Sequence, residues 1–266
     1  MRGRYDPELY ELTHRGNAGD VEFYAELGRG SNSALELGCG AGRIALELAS
    51  SGVRVVGVDN HPGMLALLEE RARERRIRIP ESFRPVLGDF ARLDIEDRFE
   101  RVLIPYNALY CMLSEEALIG CLRSAAARLT TGGLLAFDVY RVPPEIFEHG
   151  DEEEENEGLS HVVTAISSRG VVEVHERPLS HPDPRRLDVE YVYRWGEESR
   201  CRRCAGGGGP AEARHAIPQR CFCEAEIPLL LERAGLEPVS VGADFTDAPI
   251  GEETGQIVVV ARAVVQ

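Results

Sequence analysis

Short apolar runs and amphipathic segments alternate along the first half of the chain. The apolar runs cover residues 34–37, 54–58, 83–87, 102–104 and 134–139, and most are followed by apolar positions that recur every three or four residues. Short continuous apolar runs are typical of buried strands, and apolar positions that recur every three or four residues are typical of helices. This alternation predicts an α/β fold whose central sheet is doubly wound and mostly parallel.

The pattern changes after residue 140. Residues 162–166, 170–175 and 187–193 alternate apolar and polar positions, and prolines and glycines separate them. Such runs predict an inserted antiparallel sheet of about three or four strands. A helix that begins near Glu224 and a strand pair at 239–245 and 256–263 would then complete a seven-stranded core sheet.

These patterns predict three regions. Residues 1–32 would form an N-terminal helical lid of two short helices. Residues 33–140 and 215–266 would form the core. Residues 141–214 would be the antiparallel β insertion.

Composition limits the partners of the chain. The net charge of −15 repels phosphate backbones, so we expect no nucleic-acid partner and favour a small molecule. No apolar run is long enough to span a membrane, and the first residues lack the apolar stretch of a secretory signal. Seven cysteines spread along the chain suit a reducing, cytoplasmic compartment. A homodimer is compatible with the sequence.

The candidate chemistry begins at the first strand. Residues 34–43 read Ala-Leu-Glu-Leu-Gly-Cys-Gly-Ala-Gly-Arg, and a helix-like segment follows. Glycines at such a turn permit positive φ and let a ligand approach the backbone. Arg43 stands where a dinucleotide fingerprint needs its third small residue, and the Lys-Ser/Thr of a P-loop is absent. Glu36 suits a ligand with positive charge and hydroxyls better than a pyrophosphate.

Through Glu36, Gly38, Gly40 and Gly42 the chain resembles the class I S-adenosylmethionine-dependent methyltransferases, whose first motif reads E-x-G-x-G-x-G. Gly88-Asp89, the Gly132-Gly133 pair and the segment at 215–235 match the family in the same order. The resemblance implies S-adenosylmethionine as cofactor, a small-molecule methyl acceptor, and an insertion that covers the acceptor. Ile104-Pro105-Tyr106-Asn107 departs from the Asn/Asp-Pro-Pro-Tyr/Phe motif of some nucleic-acid and protein amino methyltransferases.

The expected site follows from the strand ends and the resemblance together. Asp59 lies 17 residues beyond Gly42, where the next strand would bring an acid beside the turn to accept from a ribose diol. Expected cofactor residues are Glu36, Gly38, Cys39, Gly40, Gly42, Asp59, Asn60, Met64, Gly88, Asp89, Phe90 and Pro105. Expected catalytic residues are Tyr106, Asn107 and His215. Expected substrate contacts are Tyr10, Tyr24, Tyr110, Tyr140, Tyr191 and Tyr193, with His175 and Trp195 as further candidates in the insertion.

Several alternatives stay open at this stage. The Asp59 spacing is shared with NAD-binding folds, so an NAD(P)-dependent oxidoreductase and a non-catalytic nucleoside-binding protein are the rival functions. The sequence does not separate an N from an O acceptor. Cys201, Cys204, Cys221 and Cys223 have spacings compatible with a four-thiolate zinc site, but Cys-x-Cys replaces the second Cys-x-x-Cys, and we predict no metal.

Overall fold

The chain folds into two compact units in a computed structural model. Residues 16–144 and 222–266 form the first, which we call the core unit; residues 1–15 and 145–221 form the other, which we call the second unit. The structure describes residues 5–143, 158–179, 181, 183, 185–196, 212–246 and 248–264.

A seven-stranded sheet forms the centre of the core unit. Its strands are β1 (Ser33–Leu37), β2 (Arg54–Asp59), β3 (Phe83–Leu87), β4 (Phe99–Ile104), β5 (Leu129–Tyr140), β10 (Leu236–Ala243) and β11 (Gln256–Ala263), in the spatial order β10-β11-β5-β4-β1-β2-β3. The five strands from β1 to β5 are parallel, and β11 pairs antiparallel with both β5 and β10. The predicted α/β fold with a mostly parallel seven-stranded sheet is therefore confirmed.

Helices between the strands pack on this sheet. They are α2 (Asp20–Gly28), α3 (Ala45–Ser50), α4 (Pro62–Glu74), α5 (Glu115–Ala127) and α6 (Ile227–Arg233), and a 3-10 turn at Glu224–Glu226 leads into α6. Ser114 caps α5 by accepting from the Ala117 N–H at 3.1 Å. Pro228 lies in the first turn of α6, where a missing N–H costs nothing.

Strand β5 is longer than its sequence pattern indicates. Residues 131–133 read as a helix stop before a strand at 134, but β5 already begins at Leu129. An added Cβ at Gly133 would lie 3.0 Å from the Thr130 carbonyl oxygen and 3.1 Å from that of Phe99. Gly133 therefore serves the close approach of β4 and β5, where the register between the two strands shifts.

The second unit combines the N-terminal helix with a separate sheet. Helix α1 (Pro7–Thr13) belongs with β6 (Ser160–Ser167), β7 (Gly170–Leu179), β8 (Asp188–Trp195) and β9 (Glu212–Ile217), an antiparallel sheet in that order. Leu9 packs in one apolar cluster with Val172, Val174, Tyr193 and Trp195. The predicted antiparallel insertion is thus confirmed as a four-stranded sheet.

The two N-terminal helices form where they are predicted, but they belong to different units, α1 to the second unit and α2 to the core unit. Their role as a lid stays a prediction. Among the residues that the structure describes, no helix has the length and apolar character needed to cross a membrane.

Candidate active site

The glycine turn follows β1 at the carboxyl edge of the parallel strands. Gly38, Gly40 and Gly42 have φ of 76°, 52° and 84°, so all three occupy the left-handed region that glycine tolerates. The N–H groups of Gly38 and Cys39 donate to the Val58 carbonyl at 2.8 and 3.0 Å, which ties the turn to β2. The sequence therefore places its glycines where the backbone conformation requires them.

The three glycines differ in what surrounds them. An added Cβ at Gly42 would lie 2.8 Å from the Leu46 Cγ, so this glycine allows helix α3 to pack. At Gly40 the nearest atom would be the Met64 Cε at 3.2 Å, and Met64 itself is buried. At Gly38 it would be the Ala108 Cβ at 3.2 Å. Met64 thus packs against the turn at Gly40. Its role beside an adenine stays a prediction.

Asp59, at the end of β2, holds the turn in place. Its Oδ2 accepts from the Gly40 N–H at 2.9 Å and its Oδ1 from the His61 N–H at 2.7 Å. Burial raises the pKa of this carboxyl, and the backbone donors oppose the rise. Each carboxylate oxygen has a second lone pair, so Asp59 remains able to accept from ligand hydroxyls. The imidazole of His61 caps α4, because its Nδ1 accepts from the N–H groups of Gly63 and Met64.

Glu36 is the buried acid of the turn. Its side chain is only 3% exposed, and its Oε2 has no hydrogen-bond partner within the part of the chain that the structure describes. Burial raises the pKa of Glu36 to about 8, although the Arg43 charge and the Ala45 N–H act against it. A buried carboxyl oxygen without a partner is costly, and a donor-rich cationic ligand would offset that cost.

Arg43 links the turn to the segment that precedes α2. Its Nη1 lies 2.5 Å from the Asp20 Oδ1, and Asp20 is 2% exposed. The Asn17 N–H donates to the other oxygen of Asp20 at 2.8 Å. The Arg43 guanidinium also lies over the Tyr106 ring, 5.4 Å from its centroid. The residue that breaks the dinucleotide fingerprint therefore anchors the start of the core unit.

Asp138, near the end of β5, is a second buried acid of the site. Its Oδ1 accepts from the Tyr24 hydroxyl at 2.6 Å and from the Tyr106 N–H at 2.9 Å. Burial raises the pKa of Asp138 to about 6, while the bonds from Tyr24 and Tyr106 lower it, Asp20 raises it and Arg43 lowers it. Asp138 therefore joins α2 to the turn that follows β4.

That turn places Tyr106 and Asn107 beside the carboxyl end of β4. The two residues have φ of 57° and 59°, which is unusual for residues other than glycine. The Asn107 Oδ1 accepts from the Tyr140 N–H at 2.6 Å. Burial raises the pKa of the Tyr106 phenol above its ordinary value, against the Arg43 charge. Both predicted catalytic residues of the core unit thus lie at the carboxyl edge of the sheet.

The remaining predicted cofactor residues lie at the ends of β2, β3 and β4. Asp89 is exposed, and its Oδ1 accepts from the Ala91 N–H at 2.9 Å. Phe90 is buried, and its ring edge would lie 3.6 Å from a Cβ at Gly38. Asn60 is exposed and Pro105 is buried, while Gly88 donates its N–H to the Asp59 carbonyl. Their contacts with an adenine or a ribose stay predictions.

Two predicted substrate contacts need correction, whereas Cys39 stays a predicted cofactor residue. Tyr24 is fully buried and its hydroxyl is bound to Asp138, so it is a structural residue of the core. Tyr110 is also fully buried, and its single hydroxyl proton is shared between the backbone carbonyls of Tyr140 at 2.9 Å and Phe222 at 3.1 Å. The Cys39 side chain packs against Gly57, where an added Cβ would be 2.9 Å from its sulfur. Cys39 therefore offers only backbone to a ligand.

Six of the predicted residues lie in the second unit, namely Tyr10, His175, Tyr191, Tyr193, Trp195 and His215. Tyr10 and His14 stack with ring centroids 3.9 Å apart, and His14 meets Tyr191 at 4.9 Å. His215, on β9, meets Tyr191 at 5.4 Å and Tyr193 at 5.3 Å. We call these five rings the aromatic cluster. Burial lowers the pKa of both His14 and His215 to about 4, so both imidazoles are neutral at pH 7.

His215 is therefore a neutral imidazole, and its Nε2 is buried without a hydrogen-bond partner among the described residues. Tyr140 belongs to the core unit, where its ring meets that of Tyr110 edge-on at 4.9 Å. His175 lies on β7, paired with Val192, and Trp195 donates from its indole N–H to the Ser167 hydroxyl at 3.1 Å. The contact of each of these rings with a substrate stays a prediction.

The cysteines predicted to bind no metal are only partly described. Cys201 and Cys204 lie outside the described residues. Cys221 is buried, and the Cys223 thiol donates to the Glu226 carboxylate at 3.3 Å. Over the described ranges no group of three or more His, Cys, Asp or Glu is arranged to hold a metal ion.

The sequence prediction overlooked two acids of this site, Asp20 and Asp138. Asp138 carried a usable signal, because it interrupts the otherwise apolar residues 134–139 as Glu36 interrupts β1. A lone acid near the end of a buried strand indicates a carboxylate at the ligand edge of the sheet. Asp20 gave no such signal, because an acid in the first turn of a helix is common for electrostatic reasons.

Comparison with known proteins agrees with this site. Residues 34–133 match the family model described as a methyltransferase domain. The CcbJ methyltransferase from Streptomyces caelestis is 27% identical with a TM-score of 0.75, and the match covers 98% of this chain and 100% of that one. CalS10, described as an amino pentose methyltransferase from Micromonospora echinaspora, is 20% identical with a TM-score of 0.66 and 98% coverage of both chains.

A third relative is the cypemycin N-terminal methyltransferase of a Streptomyces species. It is 33% identical over 106 residues, which are 40% of this chain and 41% of that protein. The glycine turn, the buried acids at the strand ends and these similarities define the chain as a Rossmann-like transferase. It is a class I S-adenosylmethionine-dependent methyltransferase, and S-adenosylmethionine is its cofactor.

Proposed function

We propose that this methyltransferase acts on a small-molecule acceptor and methylates a nitrogen or an oxygen, with an amine as the first candidate. The main support for this proposal is a set of buried acids near the carboxyl ends of β1, β2 and β5, namely Glu36, Asp59 and Asp138. Their field favours cationic and hydroxyl-rich ligands and disfavours phosphate-rich ones. The net charge of −15 acts in the same direction.

The cofactor residues fit S-adenosylmethionine. When bound, this cofactor supplies a methyl group that its positively charged sulfur already activates. We assign Glu36 to the cationic part of the cofactor, because its Oε2 lacks a partner among the described residues. Asp59 would accept from the ribose hydroxyls while it keeps the Gly40 N–H in place. Asp89 and Phe90 would border the adenine.

The protein contributes mainly by positioning, since the leaving group needs no further activation. The rigid turn at Tyr106 and Asn107 would orient the acceptor at the carboxyl edge of the sheet. An amine must only arrive neutral, whereas a hydroxyl gains from a general base. His61, which follows β2, already uses its Nδ1 to cap α4, and the Asp59 and Asp138 carboxylates accept backbone N–H groups. This arrangement favours an amine over an alcohol.

The aromatic cluster supports a compact organic acceptor. Neutral imidazoles and phenol rings offer apolar faces together with a few hydrogen-bonding atoms, which is the usual lining of small-molecule sites. The names of two similar proteins support an amine acceptor, since one is described as an amino pentose methyltransferase and the other as a cypemycin N-terminal methyltransferase. We therefore propose Tyr10, Tyr191, Tyr193 and His215 of the second unit as acceptor contacts. Tyr106, Asn107 and Tyr140 are proposed independently, from their place at the carboxyl edge of the core sheet.

Calorimetry with S-adenosylhomocysteine is the first test, and NAD serves as the control ligand. Binding of S-adenosylhomocysteine without a response to NAD is expected. Absence of binding at millimolar concentration would contradict the assignment of the cofactor site. A mass-spectrometric screen with methyl-labelled S-adenosylmethionine should then compare matched amines and alcohols, including amino sugars, against a short peptide and an RNA oligonucleotide. Labelling of the peptide or the RNA alone would overturn the small-molecule proposal.

A further inference from the structure

The turn after β4 is held in a conformation that its own residues disfavour. Tyr106 and Asn107 are consecutive, neither is glycine, and both have φ near 58°. Left-handed conformations of such residues persist only where the surroundings impose them, and they concentrate at functional sites. The contacts that impose this conformation therefore identify what the site needs to keep fixed.

The end of β5 supplies those contacts. The Asp138 Oδ1 accepts from the Tyr106 N–H at 2.9 Å, and the Asp138 carbonyl accepts from the Asn107 N–H at 3.1 Å. The Asn107 side chain binds β5 in turn, because its Oδ1 accepts from the Tyr140 N–H at 2.6 Å. The backbone and the side chain of one residue, Asp138, thus bind two successive N–H groups of the turn.

The same carboxylate binds the beginning of the core unit. Tyr24 of α2 donates its hydroxyl to Oδ1 at 2.6 Å, and the Asn17 amide donates to Oδ2 at 3.4 Å. The segment 16–24 is tied separately to the glycine turn by the Asp20–Arg43 ion pair. Asp138 is fully buried, so none of these contacts is exchanged freely with water.

We propose that Asp138 is a positioning residue of the methyltransferase: it holds the Tyr106–Asn107 turn and the segment 16–24 in one arrangement around the glycine turn. This role rests on the proposed function, in which Tyr106 and Asn107 face the acceptor. Asp138 itself is bound to protein groups and is assigned no contact with substrate. Its charge is balanced locally by donors from Tyr24, Tyr106 and Asn17, with Arg43 and Asp20 as the charged neighbours.

Four variants test this role. Tyr24→Phe removes one donor while it keeps the ring in the core. Asp138→Asn keeps an acceptor for the Tyr106 N–H, and Asp138→Ala removes it. Ser31→Ala is the matched control, because it deletes a buried hydroxyl near the end of α2 that bonds only locally to the Gly28 carbonyl.

Hydrogen-exchange mass spectrometry is the main readout, because it reports on the two segments without a known acceptor. Asp138→Ala should speed exchange of residues 16–24 and 104–112 together by about tenfold to a hundredfold, the range expected for lost hydrogen bonds to a buried charge. Asp138→Asn should rescue the turn in part. Tyr24→Phe should act in the same two segments, and its effect should largely vanish in the Asp138→Ala background.

Two further readouts separate positioning from general stability. In the wild type, protection of both segments, corrected for intrinsic exchange, should strengthen as the pH falls from 7.5 to 5, because the raised pKa of buried Asp138 means that the folded state binds the proton more tightly than the opened state does. Asp138→Asn should lack that dependence. S-adenosylhomocysteine affinity should fall with the loss of protection in Asp138→Ala and stay unchanged in Ser31→Ala. If only one of the segments responds, or if Ser31→Ala responds equally, Asp138 does not join them. If wild-type protein binds no S-adenosylhomocysteine, the cofactor assignment fails, while the exchange results still decide the role of Asp138.

Discussion

The core unit and the second unit solve the burial of polar side chains in different ways. In the core unit three buried carboxyl groups, those of Glu36, Asp59 and Asp138, lie near strand ends, and backbone N–H groups satisfy most of their oxygens. In the second unit they are imidazoles and phenols packed ring against ring. The first arrangement fixes a backbone shape and a negative field. The second offers neutral surfaces whose shape depends on the side chains alone.

This difference indicates how the two units can change. We expect the loss of a carboxylate that binds a backbone turn to destabilise that turn, unless another acceptor replaces it. A ring in the aromatic cluster can be exchanged for another ring at little cost to the fold. We therefore expect the core unit to bind the cofactor and the aromatic cluster to bind the acceptor. Four predictions test this division, from the largest expected effect to the smallest.

The largest effect is expected from Gly40→Val. Valine would have to adopt φ near 52°, and its Cβ would lie 3.2 Å from the Met64 Cε. Left-handed strain of about 1 to 2 kcal/mol and the added methyl groups should weaken S-adenosylhomocysteine binding by at least about thirtyfold. Calorimetry measures it.

Gly120→Ala in α5 is the matched control, since an added Cβ there has no atom within 4 Å. It should leave binding unchanged and slightly raise the unfolding midpoint, because alanine favours a helix more than glycine does. Equal losses in both variants would mean that the turn conformation is not what the cofactor requires.

Asp59→Ala should have the next largest effect. It leaves the buried N–H groups of Gly40 and His61 without their acceptor and removes the proposed ribose contact. We expect cofactor affinity to fall by about 1.5 to 3 kcal/mol. Asp94→Ala, at an exposed position in the connector before β4, is the control and should leave affinity unchanged. Wild-type affinity in Asp59→Ala would remove the ribose assignment.

The pH dependence of binding tests the field of the core unit. The pKa of free Glu36 is raised to about 8, so the residue is largely neutral at pH 7. A cationic ligand favours the ionised carboxylate, and binding should release a proton below that pH. Affinity for S-adenosylmethionine should therefore rise from pH 6.5 to 8 and level off above it.

Glu36→Gln isolates this effect, because any pH dependence that remains in the variant belongs to the ligand. Calorimetry in buffers of different ionisation enthalpy counts the released proton directly. An identical slope in the variant and the wild type would show that Glu36 does not ionise on binding.

The smallest effect is expected in the second unit under mild acid. The folded pKa of His14 and of His215 is depressed to about 4, below the ordinary 6.5. Protonation therefore favours unfolding: stability from these residues is complete above about pH 6.5 and declines as the pH falls towards 4. Protection of β8 and β9, corrected for intrinsic exchange, should weaken between pH 7 and 5, and His215→Gln should reduce that weakening. An unchanged response in the variant would place His215 outside the titrating set.

Much of the fold could be predicted because it depends on local patterns. Apolar runs identified the parallel strands, and the alternating residues after 140 identified the second sheet. The start of β5 was missed, because Gly132 and Gly133 read as a stop and only the neighbouring strand β4 shows why a glycine is needed there. Helix α1 was grouped with α2, because nothing in residues 1–32 shows which sheet each helix packs against.

The candidate site was predictable where a residue acts through the backbone near it in sequence. Glu36, the glycines and Asp59 follow from strand, turn and strand. Tyr24 and Tyr110 were mistaken for ligand contacts, because a tyrosine whose hydroxyl bonds to Asp138 or to a backbone carbonyl looks the same in sequence as one that faces a substrate. Long-range partners of this kind, 114 residues apart for Tyr24 and Asp138, leave no local pattern.

The composition of the second unit also determines when it can form. Helix α1 is synthesised well before the strands that bury Leu9, which begin at Ser160 and end at Ile217. At a translation rate of about 5 to 20 residues per second, the apolar face of α1 waits for about ten seconds or longer before its partners exist. The nascent chain therefore carries an early, uncovered segment that a chaperone can recognise. A protein fused to the N-terminus would lie next to α1 and would therefore interfere with the assembly of the second unit before that of the core unit.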